Sequence, residues 1–449
     1  MSAINQQEQS ASIDNPVRVG IIGLGTVGGS VFNLLLDNAS EIARRVGRSI
    51  AVVQVGARRD NPGCDMSKVI VSRDIFEVLN NTSIDIVVEL IGGTTTARDI
   101  VLQAIEKGKH VVTANKALIA EHGNEIFAAA QKKGVTVAFE AAVAGGIPII
   151  KSIREGLSAN HIEWVAGIIN GTGNFILTEI SKKGRAFADV LAEAQALGYA
   201  ESDPSFDVEG IDAAHKLTIL ASIAFGVPLQ FDKTYTEGIT HITAEDVAYA
   251  EQFGYRVKHL GITRKTQAGV ELRVHPTLIP ETRLLANVDG VMNAVLVQAD
   301  KVGPTLYYGA GAGGDPTASS VVADIIDVAR ALTSDPDNRV PHLAFHPDAL
   351  SNDRILPIEE VETAYYLRLS ALPKPGVLAE VATILSHYGI SIEAVLQPEL
   401  KQAGGTVSIV MLTQRIKEKD MNAALEKIAA LDDIVEPVIR IRLEKLNND

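Results

Sequence analysis

Short apolar runs alternate with longer amphipathic segments in the first third of the chain. Residues 17–22 are mostly apolar, and a glycine-rich turn connects them to an amphipathic segment at 30–46. This alternation of buried-strand and helical periodicity is typical of βα units in a parallel sheet. Further strands are predicted at 50–56, 84–90, 110–113 and 135–139, and further helices at 95–107 and 123–133. We therefore predict an α/β protein with a Rossmann-like, doubly wound domain over residues 17–142.

The strict alternation ends near Pro148. Beyond it, strands are predicted at 161–169, 255–262 and 270–278, and helices at 186–197, 208–225 and 317–332. This mixture predicts an α+β domain over residues 143–335 that carries the substrate site and a subunit interface. His259 and His275 lie in two of these strands, where a histidine is more often a core or edge residue than a ligand.

The last part of the chain has a pattern of its own. Residues 336–363 are rich in Pro, Asp and Asn and are predicted to form a linker. Residues 364–449 then show the order βαββαβ, with strands at 365–370, 391–396, 406–413 and 437–443. That order predicts a ferredoxin-like sandwich, which the linker would allow to fold and move separately. Residues 1–16 are polar and are predicted to form a flexible tail rather than a signal peptide.

Composition narrows the classes of function. The 449 residues include 41 Lys and Arg against 55 Asp and Glu, so the formal net charge is −14. This acidic balance argues against nucleic acids and anionic membranes as partners. The single cysteine, Cys64, excludes an intrachain disulfide and a cysteine-based metal site and fits a reducing cytoplasm. No apolar run approaches the length of a membrane-spanning helix, so none is predicted.

A glycine motif between the first strand and the next helix predicts a dinucleotide site. Its residues are Gly23, Leu24, Gly25, Thr26, Val27 and Gly28. Glycines here allow a tight turn and bring the backbone close to a pyrophosphate at the helix N-terminus. The alternative, a chance glycine turn, fits the surrounding βα alternation less well. A second glycine-rich loop at 309–314, which includes Gly313, enters the helix predicted at 317–332 and could close over the cofactor.

The ends of the other predicted strands offer further cofactor contacts. Arg58 and Arg59 follow the second strand, where an acidic residue would select NAD. Two guanidinium groups suit the 2′-phosphate of NADP, although surface arginines are an equally good interpretation. Gly93 and Thr94 follow the strand at 84–90, and Lys116 follows the strand at 110–113. We expect these three at the cofactor crevice, the alternative for Lys116 being a solvated lysine at a helix start.

Residues 198–216 hold five carboxylates and end in a lysine. Asp212 and Lys216 lie four apart in the predicted helix, so they share a face. Glu201 and Asp207 lie in the loop upstream, where they can converge on the same pocket. A cationic acid surrounded by acceptors suits a small polar substrate that carries an amine. The alternative is a solvated acidic loop with an exposed ion pair worth at most about 0.5 kcal/mol.

Together these motifs are similar to those of the homoserine dehydrogenase family over residues 17–335. The matching segments are residues 23–28, 113–116, 170–174, 198–216 and 309–313. The resemblance implies an oxidoreductase of threonine and methionine biosynthesis that interconverts L-aspartate 4-semialdehyde and L-homoserine with NADP(H) or NAD(H). It implies that Glu201 and Asp212 bind homoserine and that Lys216 donates a proton, with Lys116 as its partner. It also implies a cofactor contact at Gly198.

A glycine turn at residues 140–148 frees several backbone carbonyls near the carboxylate of Glu140. Such hard oxygen ligands could hold a small cation, although a plain interdomain turn is the default interpretation. The family resemblance implies a sodium site here, formed by Glu140 with the carbonyls of Val143, Gly145 and Ile147.

The C-terminal unit resembles the ACT domain through residues 374–378 and 388–392. ACT domains bind amino acids, so the resemblance implies regulation, with L-threonine as the candidate allosteric inhibitor. The alternative is a dimerisation module without a ligand. No kinase-like segment precedes the first strand, so we expect a monofunctional form, as a homodimer or homotetramer. The competing hypothesis for the whole chain is a non-catalytic sensor that binds a nucleotide and an amino acid.

Overall fold

The computed structural model describes residues 15–398 and 405–447. The tail predicted at 1–16 lies almost wholly outside these residues. The strands, labelled in chain order, are β1 Val17–Ile22, β2 Ile50–Gly56, β3 Ile70–Ser72, β4 Ile86–Glu89, β5 His110–Thr113, β6 Val137–Ala138, β7 Ile162–Ile168, β8 Tyr235–Thr236, β9 Tyr255–Lys265, β10 Val270–Pro280, β11 Met292–Ala299, β12 Gly303–Ala310, β13 Glu362–Ala371, β14 Ile392–Leu396, β15 Val407–Thr413, β16 Ile416–Lys417 and β17 Ile439–Leu443. The α-helices are Thr26–Asp37, Ala39–Val46, Glu77–Asn80, Thr96–Glu106, Lys116–Lys133, Ile149–Lys151, Gly171–Lys183, Phe187–Ala196, Ser205–Val208, Ile211–Phe225, Ala244–Gln252, Gly314–Ala331, Val377–His387 and Glu418–Ala429.

The described residues form two compact units. The first contains the described residues up to Val165, together with His215–Asp232 and Asn293–Asn352. The second contains Ala166–Ala214, Lys233–Met292 and the described residues from Asp353 onward. Each unit is therefore built from several separate segments of chain. The domain boundaries predicted above follow chain order and stay a prediction.

The first unit is built around a parallel sheet in the order β3-β2-β1-β4-β5-β6. Both faces of its central strand are covered, since Ile21 and Ile22 of β1 are fully buried. Such burial is expected for a parallel sheet that carries helices on both sides. The strand order changes direction between β1 and β4, which is where ligands bind in such sheets. The predicted Rossmann-like, doubly wound domain is confirmed.

A helix from much later in the chain completes the core of this unit. Gly314–Ala331 buries Val321 and Ile325 in the same apolar cluster as Phe32 and Leu35 of the helix Thr26–Asp37. This packing determines where the glycine-rich loop before Gly314–Ala331 lies, because the loop must end beside the first helix.

The second unit contains a mixed sheet. β9 and β10 form a long antiparallel hairpin, and β17 pairs with β10 in parallel. The sheet continues through β13, β15 and β14 with antiparallel neighbours. The elements from β13 to β17 follow the order βαββαβ, and Val377–His387 and Glu418–Ala429 share one apolar cluster with the sheet. The predicted ferredoxin-like unit is confirmed.

The opposite face of this ferredoxin-like sheet is covered by other parts of the second unit. Tyr366 and Ile441 pack in one cluster with Val247. Asp246, which is fully buried, accepts hydrogen bonds from the Tyr366 hydroxyl and from the Arg368 guanidinium. One sheet face and strand β17 thus join residues 364–449 to the rest of the second unit, and the expectation that they fold and move separately stays a prediction.

Two segments that were not predicted as helix are helix starts. The helix predicted at 123–133 begins at Lys116, where the Asn115 side chain accepts a hydrogen bond from the N–H of Leu118. Residues 171–174, which were not assigned to any predicted strand or helix, form the first turn of Gly171–Lys183, which Asn170 caps. In the second segment glycine lowers the local helix propensity, and in both segments the capping asparagine favours a helix start.

Candidate active site

The glycine motif makes a tight connection between β1 and the helix Thr26–Asp37. Gly23 has φ +101°, and its N–H donates to the carbonyl of Gly56. A Cβ at Gly28 would lie 2.0 Å from the carbonyl oxygen of Gly23, whereas a Cβ at Gly25 would meet no atom within 4 Å. Among the described residues, no side chain caps this helix. Its first N–H groups therefore have no acceptor from a capping side chain and suit an anionic group.

The second glycine-rich loop lies against this motif. A Cβ at Gly314 would be 2.7 Å from Ser30 Oγ and 3.3 Å from the methyl carbon of Thr26. The Ser30 hydroxyl donates to Asp315 Oδ1 at 2.8 Å. Gly313, at φ +115°, directly precedes this contact. The structure thus brings together the two glycine segments that were predicted to bind the cofactor.

Three arginines lie at the carboxyl ends of β2 and β3. Arg58 and Arg59 follow β2 and are exposed. Arg73 follows the parallel neighbour β3 and donates to the Ala57 carbonyl at 3.1 Å and to Asp60 at 2.8 Å. Sequence reasoning missed Arg73 because β3 is a three-residue strand without a clear apolar pattern.

The ends of β4 and β5 are joined by Asn115. Its side-chain N–H donates to the carbonyl of Gly93 at 2.7 Å, and its oxygen caps the helix that begins at Lys116. The buried carboxylate of Glu89 accepts two backbone N–H groups of the loop that contains Gly93 and Thr94. The structure therefore places Gly93, Thr94 and Lys116 at the same edge of the sheet, as expected.

Within the first unit, the helix that begins at Lys116 is also linked to the segment that contains Lys216. Glu121 Oε1 lies 3.2 Å from Nε2 of His215, the residue before Lys216. Asn124, one turn further along, exchanges two hydrogen bonds with the backbone that follows the helix Ile211–Phe225. These links hold the helices of the two predicted catalytic lysines against each other.

In the second unit, Asn170 organises the acidic stretch. Its amide donates to Asp207 Oδ1 at 2.8 Å and to Asp212 Oδ2 at 2.9 Å. Asp212 is 4% exposed, and Lys216, which belongs to the first unit, is 8% exposed. The alternative of an exposed ion pair is therefore wrong. Asn170 was not predicted to have a role, although an asparagine between a strand and a glycine-containing helix start is a sequence signal for a cap.

The remaining residues of that stretch are less enclosed. Glu201 and Gly198 are exposed, and Gly198 has φ +75°. The Gln195 side chain donates to the backbone carbonyl of Glu201 at 3.0 Å, which anchors this part of the loop.

Comparison with known proteins decides the family. The family models described as "Homoserine dehydrogenase" and "Homoserine dehydrogenase, NAD binding domain" match residues 148–326 and 23–140. A homoserine dehydrogenase of Pseudomonas aeruginosa is 68% identical over 432 residues, which are 96% of this chain and 100% of that protein. The chain belongs to the homoserine dehydrogenase family. The predicted activity, an NAD(P)-dependent dehydrogenation of homoserine, is confirmed, and the non-catalytic sensor hypothesis is wrong.

Solved structures of homoserine dehydrogenases agree with this fold. The crystal structure of a homoserine dehydrogenase from Thiobacillus denitrificans is 61% identical, covers 96% of this chain and 99% of its own, and has a TM-score of 0.92. A hyperthermophilic archaeal homoserine dehydrogenase in complex with NADPH is 27% identical, covers 70% of this chain and 97% of its own, and has a TM-score of 0.60.

Glu140 of this homoserine dehydrogenase family member lies in a buried acidic environment. Its two carboxylate oxygens accept the backbone N–H groups of Ile150 and Lys151. Burial and the neighbouring Asp324 raise the pKa of Glu140 to about 7. Burial also raises the pKa of Asp324 to about 6. Two adjacent buried carboxylates of this kind would be stabilised by a cation.

The turn after Glu140 is held in an unusual backbone conformation. Ala144 and Gly145 have φ +54° and +49°, and the Gly145 carbonyl accepts a hydrogen bond from Ser320. Val143 and Ile147 are buried in the same turn. The described side chains include no group of three or more His, Cys, Asp or Glu residues that could hold a metal ion. Any ion here would depend on backbone carbonyls.

The two histidines of the central hairpin belong to the core, as predicted. His259 Nε2 lies 2.9 Å from the carbonyl oxygen of Glu237, and burial lowers the pKa of His259 to about 4. Burial also lowers the pKa of His275 well below its usual value. In addition, no helix in the described part of the chain is long and apolar enough to cross a membrane.

Proposed function

We propose that a buried lysine and a cluster of carboxylates carry the interconversion of L-homoserine and L-aspartate 4-semialdehyde. The main support is the burial of Asp212 and Lys216, one helical turn apart in Ile211–Phe225. Lysine and aspartate are almost never fully buried unless they are paired, and buried ionisable groups cluster at functional sites.

In this proposal the glycine motif at residues 23–28 would hold the nicotinamide cofactor, which when bound would supply or accept the hydride. Lys216 donates a proton to the aldehyde oxygen during reduction and accepts it again during oxidation of homoserine, assisted by the positive charge of Lys116. Glu201 and Asp212 accept hydrogen bonds from the amine and hydroxyl ends of homoserine. Asp207 adds negative charge near the amine.

The replacement Lys216→Ala tests the proton donor. Proton transfer from a positioned side chain contributes roughly 10²–10⁴-fold, so kcat should fall by about that factor with little change in KM. Lys182→Ala is a matched control, because Lys182 is a half-exposed helical lysine paired with Asp289 at 2.8 Å. It should leave kcat unchanged. Near-normal turnover of Lys216→Ala would rule out the assignment.

We further propose that NADP(H) is preferred over NAD(H). Support comes from the three guanidinium groups after β2 and β3, which suit a 2′-phosphate. Changing Arg58 and Arg59 to serine should raise KM for NADP while KM for NAD, the internal control, stays nearly constant. Equal effects on the two cofactors would show that these arginines have no part in the selection.

We also propose that the turn after Glu140 binds sodium through the Glu140 carboxylate and the carbonyls of Val143, Gly145 and Ile147. The buried acidic pair of Glu140 and Asp324 supports this proposal, because a cation would offset its charge. Sodium chloride should then raise the unfolding temperature more than tetramethylammonium chloride at equal ionic strength. Glu140→Gln should abolish the difference, and identical unfolding temperatures for the intact chain in both salts would exclude the site.

For the ferredoxin-like unit, residues 364–449, we propose regulation by L-threonine in a homodimer or homotetramer. Because this unit shares its sheet with β10, a truncated chain would expose apolar surface, so the test uses the intact chain. Threonine should weaken the binding of homoserine or cofactor by about 5–150-fold for a coupling of about 1–3 kcal/mol, and this effect should saturate at high threonine. A KM for homoserine that rises linearly with threonine without saturation would instead place threonine in the active site, and no inhibition would favour a dimerisation module. Light scattering measures the oligomer.

A further inference from the structure

Asn170 lies where three elements of the second unit meet. It follows strand β7 and caps the helix Gly171–Lys183, and its Oδ1 accepts the N–H of Gly173 at 2.7 Å. It is 6% exposed. Because the oxygen is committed to the cap, the NH₂ group must point away from that helix. The orientation of the amide is therefore set by its backbone partner.

The NH₂ group is divided between two carboxylates. One N–H donates to Asp207 Oδ1 at 2.8 Å and the other to Asp212 Oδ2 at 2.9 Å. Asp207 belongs to the short helix Ser205–Val208, and Asp212 to the first turn of Ile211–Phe225. Gly210, at φ +85°, makes the turn between them. A single amide thus holds one oxygen of each aspartate and sets the spacing of the pair.

The neutrality of this donor matters for substrate binding. A lysine or arginine here would also hold both carboxylates, but it would cancel their charge. An amide offsets part of the repulsion between the two aspartates through hydrogen bonds to charged acceptors, which are stronger than neutral ones. The amide adds no positive charge of its own that would oppose the binding of an ammonium group. In the simpler alternative, Asn170 only caps a helix. Such a cap contributes about 1 kcal/mol to the free energy of unfolding.

We infer that Asn170 is a positioning residue that holds Asp207 and Asp212 as a charged pair for the ammonium-bearing end of the amino-alcohol substrate. This inference rests on the proposed function, since it takes Asp212 as a substrate-binding residue. Asn170 acts through the two carboxylates and makes no contact with the reacting atoms. Its loss should therefore raise KM for homoserine more than it lowers kcat.

The main test is Asn170→Asp, because it keeps an acceptor for the N–H of Gly173 but replaces the donor with a third carboxylate. We expect KM for homoserine to rise about 10–100-fold, with a smaller change in kcat. If this variant does not fold, Asn170→Ser takes its place, since serine also caps helices but cannot donate to both aspartates. Thr243→Ala is the matched control, because it removes the cap of Ala244–Gln252. It should lower the unfolding temperature without changing KM.

A double variant that exchanges the amide of Asn170 and the carboxylate of Asp207 separates the effect of positioning the aspartates from the effect of capping the helix. In the double variant Asn170→Asp with Asp207→Asn, the donor and acceptor exchange places and the number of carboxylates is unchanged. The KM of this double variant for homoserine should be closer to the wild-type KM than is the KM of the single variant Asn170→Asp. Unchanged KM in Asn170→Asp and Asn170→Ser, or a KM that the swap does not improve, would overturn the inference. Asp212→Asn distinguishes a failure of this inference from a failure of the proposed function. A normal KM for homoserine in Asp212→Asn would contradict the proposed function itself.

Discussion

Two glycines of the cofactor motif should respond in opposite ways to the same substitution. A Cβ at Gly28 would lie 2.0 Å from the backbone oxygen of Gly23 and 2.9 Å from its carbonyl carbon. Backbone atoms cannot rotate away, so Gly28→Ala must displace the turn. Such overpacking costs roughly 1–3 kcal/mol of the free energy of unfolding. We expect this loss in the absence of any cofactor.

Gly25→Ala is the matched substitution three residues earlier. Gly25 has φ −72°, and its added Cβ would meet no atom within 4 Å, so the fold should lose less than about 1 kcal/mol. The methyl group would however occupy the open space at the helix N-terminus, where we expect the pyrophosphate. Loss of one or two hydrogen bonds to a charged group, about 1.5–3 kcal/mol in all, corresponds to roughly 10–150-fold weaker NADPH binding.

Urea denaturation without cofactor measures the first effect, and titration of NADPH fluorescence measures the second. The expected result is a destabilised Gly28→Ala variant and a stable Gly25→Ala variant with weak NADPH binding. Wild-type stability of Gly28→Ala would refute the packing argument. Wild-type NADPH affinity of Gly25→Ala would show that the pyrophosphate does not lie over this helix start.

Three further predictions concern residues outside the substrate site. His342 accepts the N–H of Val137, and burial lowers the pKa of His342 to about 4. Since this histidine takes up a proton near pH 6.5 in the unfolded chain but not in the folded chain, it should by itself lower the free energy of unfolding by about 3 kcal/mol from pH 6.5 to pH 4. His342→Gln should flatten that decline in urea titrations at several pH values, and an unchanged slope would contradict this assignment. Glu121→Ala should lower the free energy of unfolding by about 1 kcal/mol and also reduce kcat, because it frees the Lys116 helix from His215. Glu125→Ala, which breaks an exposed pair with Arg98, is its control, and equal effects on kcat would argue against the link. Asp246→Asn should cost up to about 3–5 kcal/mol in thermal or urea unfolding, because Arg368 would keep only the half-exposed Glu245 as an acidic partner, whereas a loss below 1 kcal/mol would mean that Glu245 alone compensates the Arg368 charge.

The features that the sequence predicted correctly are those that depend on neighbouring residues. Strand β1, the glycine turn and the helix after it follow from the local order of apolar residues and glycines. The βαββαβ order of the last unit follows from periodicity in the same way. Lys116 was placed correctly at the strand ends because loops of a doubly wound sheet gather at one edge. The start of its helix was not predicted, since the cap at Asn115 was overlooked.

The packing of the last unit could not be predicted from its own pattern. Residues 364–449 show a complete pattern of their own, so they were expected to fold and move separately, whereas the structure places them in one compact unit with Lys233–Met292. Nothing in that pattern reveals that Asp246, 122 residues before Arg368, would be buried against it. The sequence pattern of a strand reveals that its apolar face must be covered. It does not reveal which part of the chain covers that face.

The sequence by itself determined the fold class, the cofactor motif and the kind of side chain available for chemistry. Only the tertiary structure decided which of these side chains meet. Asn170 and Asp212 are 42 residues apart, and Ser30 and Asp315 are 285 apart. Periodicity and capping are set by contacts within a few residues, whereas a hydrogen bond between distant side chains forms only after packing has brought their elements together and excluded water from both groups.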